Sequence, residues 1–361
     1  MQEFLTLHEL VVAAHKKLPD SAWAYITGGT ETETTMRRNR AAIDSLVLRP
    51  RVLNDVSSVD CTYTLFGAPV RLPVFLCPVG GLEAFDPQGA MSVAIAAKSF
   101  GVPLLLSSVS EWSPTKLREQ LTDELKLILQ LYARTDATGV DECVSECMKL
   151  NMPAFCVTVD SATYSRRERD IAARFVKPWR AKGVGDAALH QASLNWKDIE
   201  RIRKNFSNQL VLKGIATRED ALLAIEHGVD VIYVSNHGGR QLDHGLGSIA
   251  AMVDIIDAVD GRAKVLVDGG FSRGTDIAKA IALGADGVGI GRLMCYALAA
   301  AGSDGVYRML ELLEEEYRIA LALLGVQNSA ELDRSFVQSV DALHHDSALL
   351  GAFPLLKDYG F

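Results

Sequence analysis

From residue 72 onward the chain repeats one unit: a short apolar run, then a stretch whose apolar positions recur at helical spacing. The runs predict strands over Pro73–Cys77, Pro103–Leu106, Lys126–Leu131, Ala154–Val159, Leu210–Leu212, Val231–Val234, Lys264–Val267 and Gly287–Ile290. Amphipathic stretches such as Met91–Phe100, Gly139–Leu150, Arg218–His227, Ile249–Val259 and Thr275–Leu283 lie between them. Eight parallel strands, each followed by a helix, close into a barrel with function at the C-terminal strand ends. The expected fold is therefore an α/β, (β/α)8 TIM barrel. An open doubly wound sheet is the main alternative, and no GxGxxG turn opens a first helix to support it.

The polar residues obey the barrel rule without having defined the strands. Ser107, Gln130, Tyr132, Thr158, Asp160, Lys213, His237, Asp268 and Gly291-Arg292 all fall at strand ends. The expected organisation is one domain over 1–361, with the barrel at about 72–325 and N-terminal helices and a C-terminal tail packed on it. Leu7, Leu10, Val11 and Ala14 form one helical face, which Pro19 ends. The connection from Ser161 to Asn208 exceeds a usual βα loop and predicts a lid after strand four, over Phe175 to Ser193.

A net charge of −8 repels phosphate backbones and acidic membranes, so nucleic acid and membrane partners are not expected. No uncharged apolar run reaches roughly 18 residues, and the N-terminus lacks signal-peptide organisation. The six cysteines contain no CxxC pair and no nearby histidine at metal-ligand spacing. They predict reduced thiols in a cytoplasmic protein with no metal site.

The chemistry concentrates in Val231-Ile-Tyr-Val-Ser-Asn-His-Gly-Gly-Arg-Gln-Leu-Asp243, where a β-branched run ends in an imidazole, two glycines and a guanidinium. His237 is a candidate base, and Asp160 a carboxylate able to orient it. Arg167 and Arg240, after strands four and six, suit a small carboxylate held by two-pronged hydrogen bonds. Lys213 is either a Schiff-base nucleophile or a fixed cation beside an electron-accepting ring. The loops Asp268-Gly-Gly-Phe-Ser272 and Gly289-Ile-Gly-Arg292 occupy the usual phosphate position of barrels.

Together these motifs, with Gln130-Leu-Tyr132, Thr158-Val-Asp160 and Leu212-Lys-Gly214, resemble the FMN-dependent L-2-hydroxy acid oxidases and dehydrogenases, among them glycolate oxidase, lactate oxidase and mandelate dehydrogenase. The resemblance implies oxidation of an L-2-hydroxy acid to the 2-oxo acid, with FMN reoxidised by O2, giving H2O2, or by another acceptor. It implies His237 as base, Asp160 and Lys213 as its catalytic partners, and Tyr25, Tyr132, Arg167 and Arg240 as substrate-binding. It places FMN against Pro78, Val79, Gly80, Ser107, Gln130, Thr158, Lys213 and Ser235, with Asp268, Gly269, Gly270, Phe271, Ser272, Gly291 and Arg292 at its ribityl and phosphate. It also implies a homotetramer or other homo-oligomer.

The chain departs from the family in places. Ser272-Arg273 stands where relatives carry an arginine pair, removing one phosphate cation. Val109 stands where glycolate oxidases place a large aromatic, and Gly80 where many oxidases have alanine. With Gly81 and Tyr164 these departures predict a roomier pocket, for longer-chain or aryl 2-hydroxy acids. A Schiff-base lyase using Lys213 and a catalytically silent barrel are the competing readings.

Overall fold

The computed structural model describes residues 4–121, 124–177 and 187–361. Its centre is a closed barrel of β1 (Val74–Leu76), β2 (Leu104–Ser107), β3 (Leu127–Leu131), β4 (Ala154–Thr158), β5 (Gln209–Ile215), β6 (Val231–Val234), β7 (Lys264–Val267) and β8 (Gly287–Ile290). Each strand pairs in parallel with its sequence neighbour, and β8 closes on β1 through Val288 opposite Val74 and Ile290 opposite Leu76. All eight predicted strands are present. The largest departure is β5, which runs three residues past its predicted end, with an irregular register between Lys213 and Ile215. Gly214 reads as a terminator in the sequence, yet the strand continues beyond it. Lys213 is therefore held inside the strand rather than at a loose end.

Strand periodicity explains how one barrel carries both a core and a site. Successive side chains alternate between the lumen and the surrounding helices. Phe75, Leu105, Ile128, Ala154, Cys156, Val211, Val231, Tyr233 and Leu266 form one buried cluster distinct from the larger helix-facing core. Two residues further along the same parity come Ser107, Gln130, Thr158, Lys213, Ser235 and Asp268, all buried. The lumen is thus apolar below and polar above.

Two elements escaped the sequence reading. The hairpin Tyr63–Leu65 with Ala68–Val70 puts Leu65 and Val70 into the lumen cluster and plugs its lower end. Leu46–Leu48 pairs antiparallel with Val337–Ser339 across almost the whole chain length. Both are three-residue strands, too short for periodicity to register.

Three N-terminal helices, α1 (Leu7–Lys17), α2 (Asp20–Thr27) and α3 (Thr34–Asp44), pack on this frame. A reciprocal capping box between Thr6 and Glu9 starts α1, and its buried Leu7, Leu10, Val11 and Ala14 are the predicted face. The helix packs on the long helix Arg292–Leu324 that follows β8, which breaks locally at Ala301 and Gly302. Of the predicted lid, Phe175–Lys177 and Ala187–Ser193 are described, the latter as a helix; residues 178–186 lie outside the described residues. Among the described residues no helix is long and apolar enough to cross a membrane, and no cluster of His, Cys, Asp and Glu could hold a metal ion.

Candidate active site

The polar end of the lumen opens into a cavity of about 800 Å³. Tyr25, Tyr132, Lys213, His237, Arg167, Arg240 and the loop from Asp268 to Ser272 all border it. His237 reaches it through a turn in which His237, Gly238 and Gly239 have φ of +59°, +65° and +75°. The turn must be tight at Gly239 because α3 presses on it: a Cβ there would lie 2.5 Å from the Met36 backbone nitrogen. Asp243, from the same loop, accepts from the Thr35 N–H at 2.8 Å and the Thr32 hydroxyl at 2.7 Å. This bond ties the start of α3 to the strand that delivers the histidine.

The imidazole sits between a carboxylate and a phenol. Its Nδ1 is 3.1 Å from Asp160 Oδ1, and its Nε2 is 3.2 Å from the Tyr132 hydroxyl. Burial would raise the Asp160 pKa, but the positive charge of His237 and Lys213 and the hydrogen bond from His237 overcome it and pull the carboxyl down to about 2. An ionised carboxylate only accepts, so Nδ1 carries the proton and Nε2 keeps the lone pair. Burial and the Lys213 ammonium bring His237 down to about 4, against the opposing pull of Asp160. The result is a neutral imidazole at neutral pH with Nε2 facing the cavity residues as a base.

Lys213 is buried, and burial alone would lower its pKa, yet the carboxylates of Asp160 and Asp268 hold it above the ordinary lysine value. Its Nζ donates to Ser235 Oγ at 3.2 Å, and Ser235 donates to Asp268 Oδ1 at 2.6 Å. Tyr233 completes the support by donating to Asp268 Oδ2 at 2.7 Å. A lysine locked as a cation is a poor Schiff-base nucleophile, since that chemistry needs the neutral amine.

Gln130, Thr158 and Ser107 form a buried polar wall beside it. Gln130 Nε2 donates to Thr158 Oγ1 at 2.9 Å, while Gln130 Oε1 is buried with no partner among the described residues. An orphaned buried acceptor costs roughly 1–3 kcal/mol, and a heteroaromatic ring edge bearing an N–H would satisfy it. The site residues fit a flavin ring on that ground.

Both arginines border the cavity, with much of their donor capacity already engaged. Arg240 donates to the carbonyls of Tyr25 at 2.7 Å and Gly28 at 2.6 Å and to Asp170 at 3.2 Å, with its guanidinium 4.6 Å over the Tyr25 ring. Arg167 donates to the Arg240 carbonyl at 3.0 Å and to Gln241 Oε1 at 3.0 Å. Asp170, Gln241 and Tyr233 were not singled out from the sequence. Gln241 and Tyr233 lie inside the motif, Tyr233 as an ordinary strand aromatic, whereas Asp170 is an ordinary helix acid until the fold brings it in.

At the phosphate loops the structure redistributes the expected cations. Arg292 is half-buried and donates to the carbonyls of Ile26 at 3.0 Å, Gly238 at 2.8 Å and Gly28 at 2.8 Å, so its side chain braces α2 against the histidine turn. Arg273 pairs with Glu316 at 3.1 Å. A Cβ on Gly80 would collide with Val109 Cγ2, so Val109 fills the room that glycine leaves. The expectation that Gly80 thins the wall is corrected accordingly.

The comparisons with known proteins agree with the barrel fold. Residues 14–339 match the model of the FMN-dependent dehydrogenases. A peroxisomal (S)-2-hydroxyacid oxidase of Arabidopsis thaliana is 35% identical over 96% of this chain and 99% of its own length. Glycolate oxidase of Spinacia oleracea is 34% identical over 93% of this chain and 96% of its own. A crystal structure of mandelate oxidase superposes with a TM-score of 0.88 at 34% identity, covering 95% of this chain and all of the other. With a family match over residues 14–339 and relatives about a third identical over most of its length, the chain belongs to the FMN-dependent dehydrogenase family.

Proposed function

We propose that this chain oxidises an (S)-2-hydroxy acid to the 2-oxo acid, and the observation that carries the reading is His237 held with Nδ1 on Asp160 and the lone pair of Nε2 turned to Tyr132 and the cavity. FMN, when bound, supplies the two-electron acceptor. Ser107, Gln130, Thr158, Lys213 and Ser235, with Pro78, Val79 and Gly80, would hold its ring, and Asp268 to Ser272 with the backbone of Gly291 and Arg292 its ribityl and phosphate. Nε2 of His237 takes the proton of the substrate, and Asp160 stabilises the imidazolium so formed. Lys213 keeps one positive charge fixed where negative charge gathers in the site. Tyr132, hydrogen-bonded to Nε2 before substrate arrives, and Tyr25 position the hydroxy acid. The locked Lys213 cation speaks against the lyase reading. Six unpaired cysteines support a reducing compartment such as the cytoplasm, although several plant (S)-2-hydroxyacid oxidases it resembles are named as peroxisomal, and the family likeness supports a homo-oligomer. The test is anaerobic mixing with a panel of 2-hydroxy acids, read as bleaching of flavin absorbance, and then reoxidation by air or an artificial acceptor.

Arg167 and Arg240 are proposed as the carboxylate clamp. Arg240→Lys keeps the charge and loses both the fork and the spacing that reaches two carbonyls and Asp170. We expect kcat/KM to fall by roughly 10- to 100-fold, corresponding to a charge-assisted bond of about 1.5–3 kcal/mol, with flavin content unchanged. Arg167→Lys should act alike. If both variants keep the parent kcat/KM, the substrate is not a carboxylate held there.

Val109 and Tyr164 border the same cavity, and the Arg167 guanidinium lies 4.6 Å over the Tyr164 ring. Aromatic stacking on such a ring contributes about 0.5–1.5 kcal/mol beyond area burial. Longer-chain or aryl 2-hydroxy acids are therefore the proposed substrates, with kcat/KM highest for mandelate or 2-hydroxyoctanoate among glycolate, lactate and those two. Val109→Trp should shift the ranking toward the small acids. A parent preference for glycolate overturns the size assignment.

A further inference from the structure

We infer that Arg37, on α3, supplies the positive charge at the phosphate end of the FMN cavity that Ser272 does not provide. The inference rests on the FMN reading above and concerns how this chain departs from its relatives. Ser272 carries a hydroxyl at the loop where a guanidinium was expected, and its N–H is turned to Asp276 Oδ2 at 3.0 Å. A phosphate monoester brings close to two negative charges at neutral pH, so the remaining charges around that loop decide how it is held.

Most of those charges cancel within the protein. Arg40 lies between Asp44, at 2.6 Å, and Asp276, at 2.9 Å, and is itself buried. Lys279 donates to the Ile43 carbonyl at 3.0 Å beside the same two acids. Arg273 is paired with Glu316, and Arg169 with Glu33. Arg292 retains its charge but aims its donors at three carbonyls on the far side. His345 pairs with Asp44 and Lys357 with Asp346.

Arg37 differs. It borders the cavity together with Arg40, Gly270 and Ser272, and among the described residues its one side-chain bond is from Nη2 to Thr34 Oγ1, at 3.1 Å, one turn back on its own helix. Among the described residues no carboxylate pairs with it. The segment after Asp346 docks over α3, with Ser347 and Ala348 bordering the cavity beside Arg37 and Phe353 and Leu356 anchored in the core. Arg37 itself is exposed, so its attraction for a phosphate at that loop is screened as salt rises. Its neighbour Arg38 is the internal control, because its guanidinium is spent on the carbonyls of His244 and Gly245.

The test is titration of the full-length protein, stripped of flavin, with FMN and with riboflavin, which lacks the phosphate, reading flavin fluorescence quenching. Arg37→Gln should raise the FMN Kd about tenfold, the loss of one charge-assisted contact, and leave the riboflavin Kd unchanged. Arg38→Gln should change neither. Ser272→Arg should tighten FMN binding slightly in the parent and restore it in the Arg37→Gln background, because the two arginines serve one anion and their effects do not add. Parent FMN affinity in Arg37→Gln, or equal loss of FMN and riboflavin, overturns the inference. If the parent protein binds neither flavin, the FMN reading itself fails, and this result is distinct from failure of Arg37 alone.

Discussion

His237→Ala is expected to retain FMN and to reduce the rate of flavin bleaching by substrate by roughly 10²–10⁴, the usual contribution of a positioned general base. The prediction follows from where the ring points. Nε2 faces Tyr132 and the cavity, and no bond from the imidazole reaches the phosphate loops. The backbone at this residue has a φ of +59°, which strains alanine by about 1–2 kcal/mol. His237→Asn is the companion variant, since asparagine tolerates that conformation and likewise lacks a base. Anaerobic stopped-flow mixing with saturating hydroxy acid measures both, and reduction at the parent rate in the asparagine variant would exclude His237 as the base.

The barrel was legible because its strands are buried on both faces, so each is a continuous apolar run, and the helices between them keep a clear spacing. The same burial hid the functional logic of the lumen. Tyr233 reads as one more strand aromatic, and only the closed barrel brings its hydroxyl to Asp268 across 35 residues of sequence. Asp170 is comparable: its value lies in its 3.2 Å contact with Arg240, a partner 70 residues away.

Residue type alone did not reveal the contacts of two residues. Arg292 was expected at the phosphate, and its guanidinium is also held by carbonyls at the end of α2, which no local pattern marks as acceptors. Gly80 was expected to open the pocket. What it does depends on Val109, 29 residues later, whose methyl takes the space. In both cases the sequence names the group and the packing decides what it touches.

Asp160→Asn should cost activity on a similar scale, roughly 10²–10⁴ in kcat/KM, while preserving shape and flavin binding. An amide can donate to Nδ1 and so stabilises the tautomer with the proton on Nε2, which has no lone pair to offer the substrate. It also removes the charge that stabilises the imidazolium. The pH dependence separates these effects from simple damage. In the parent, kcat/KM falls as pH drops through the His237 value of about 4, which burial and Lys213 depress and Asp160 partly restores. Removing the restoring charge must move that acid limb to lower pH, because the protonated ring loses its one carboxylate partner while Lys213 and Arg167 remain. The variant should therefore be slower at every pH and yet keep its residual rate further into acid. A kcat/KM profile from about pH 3 to 8 makes the measurement. An acid limb unmoved from the parent would show that Asp160 supports the loop without acting on the base.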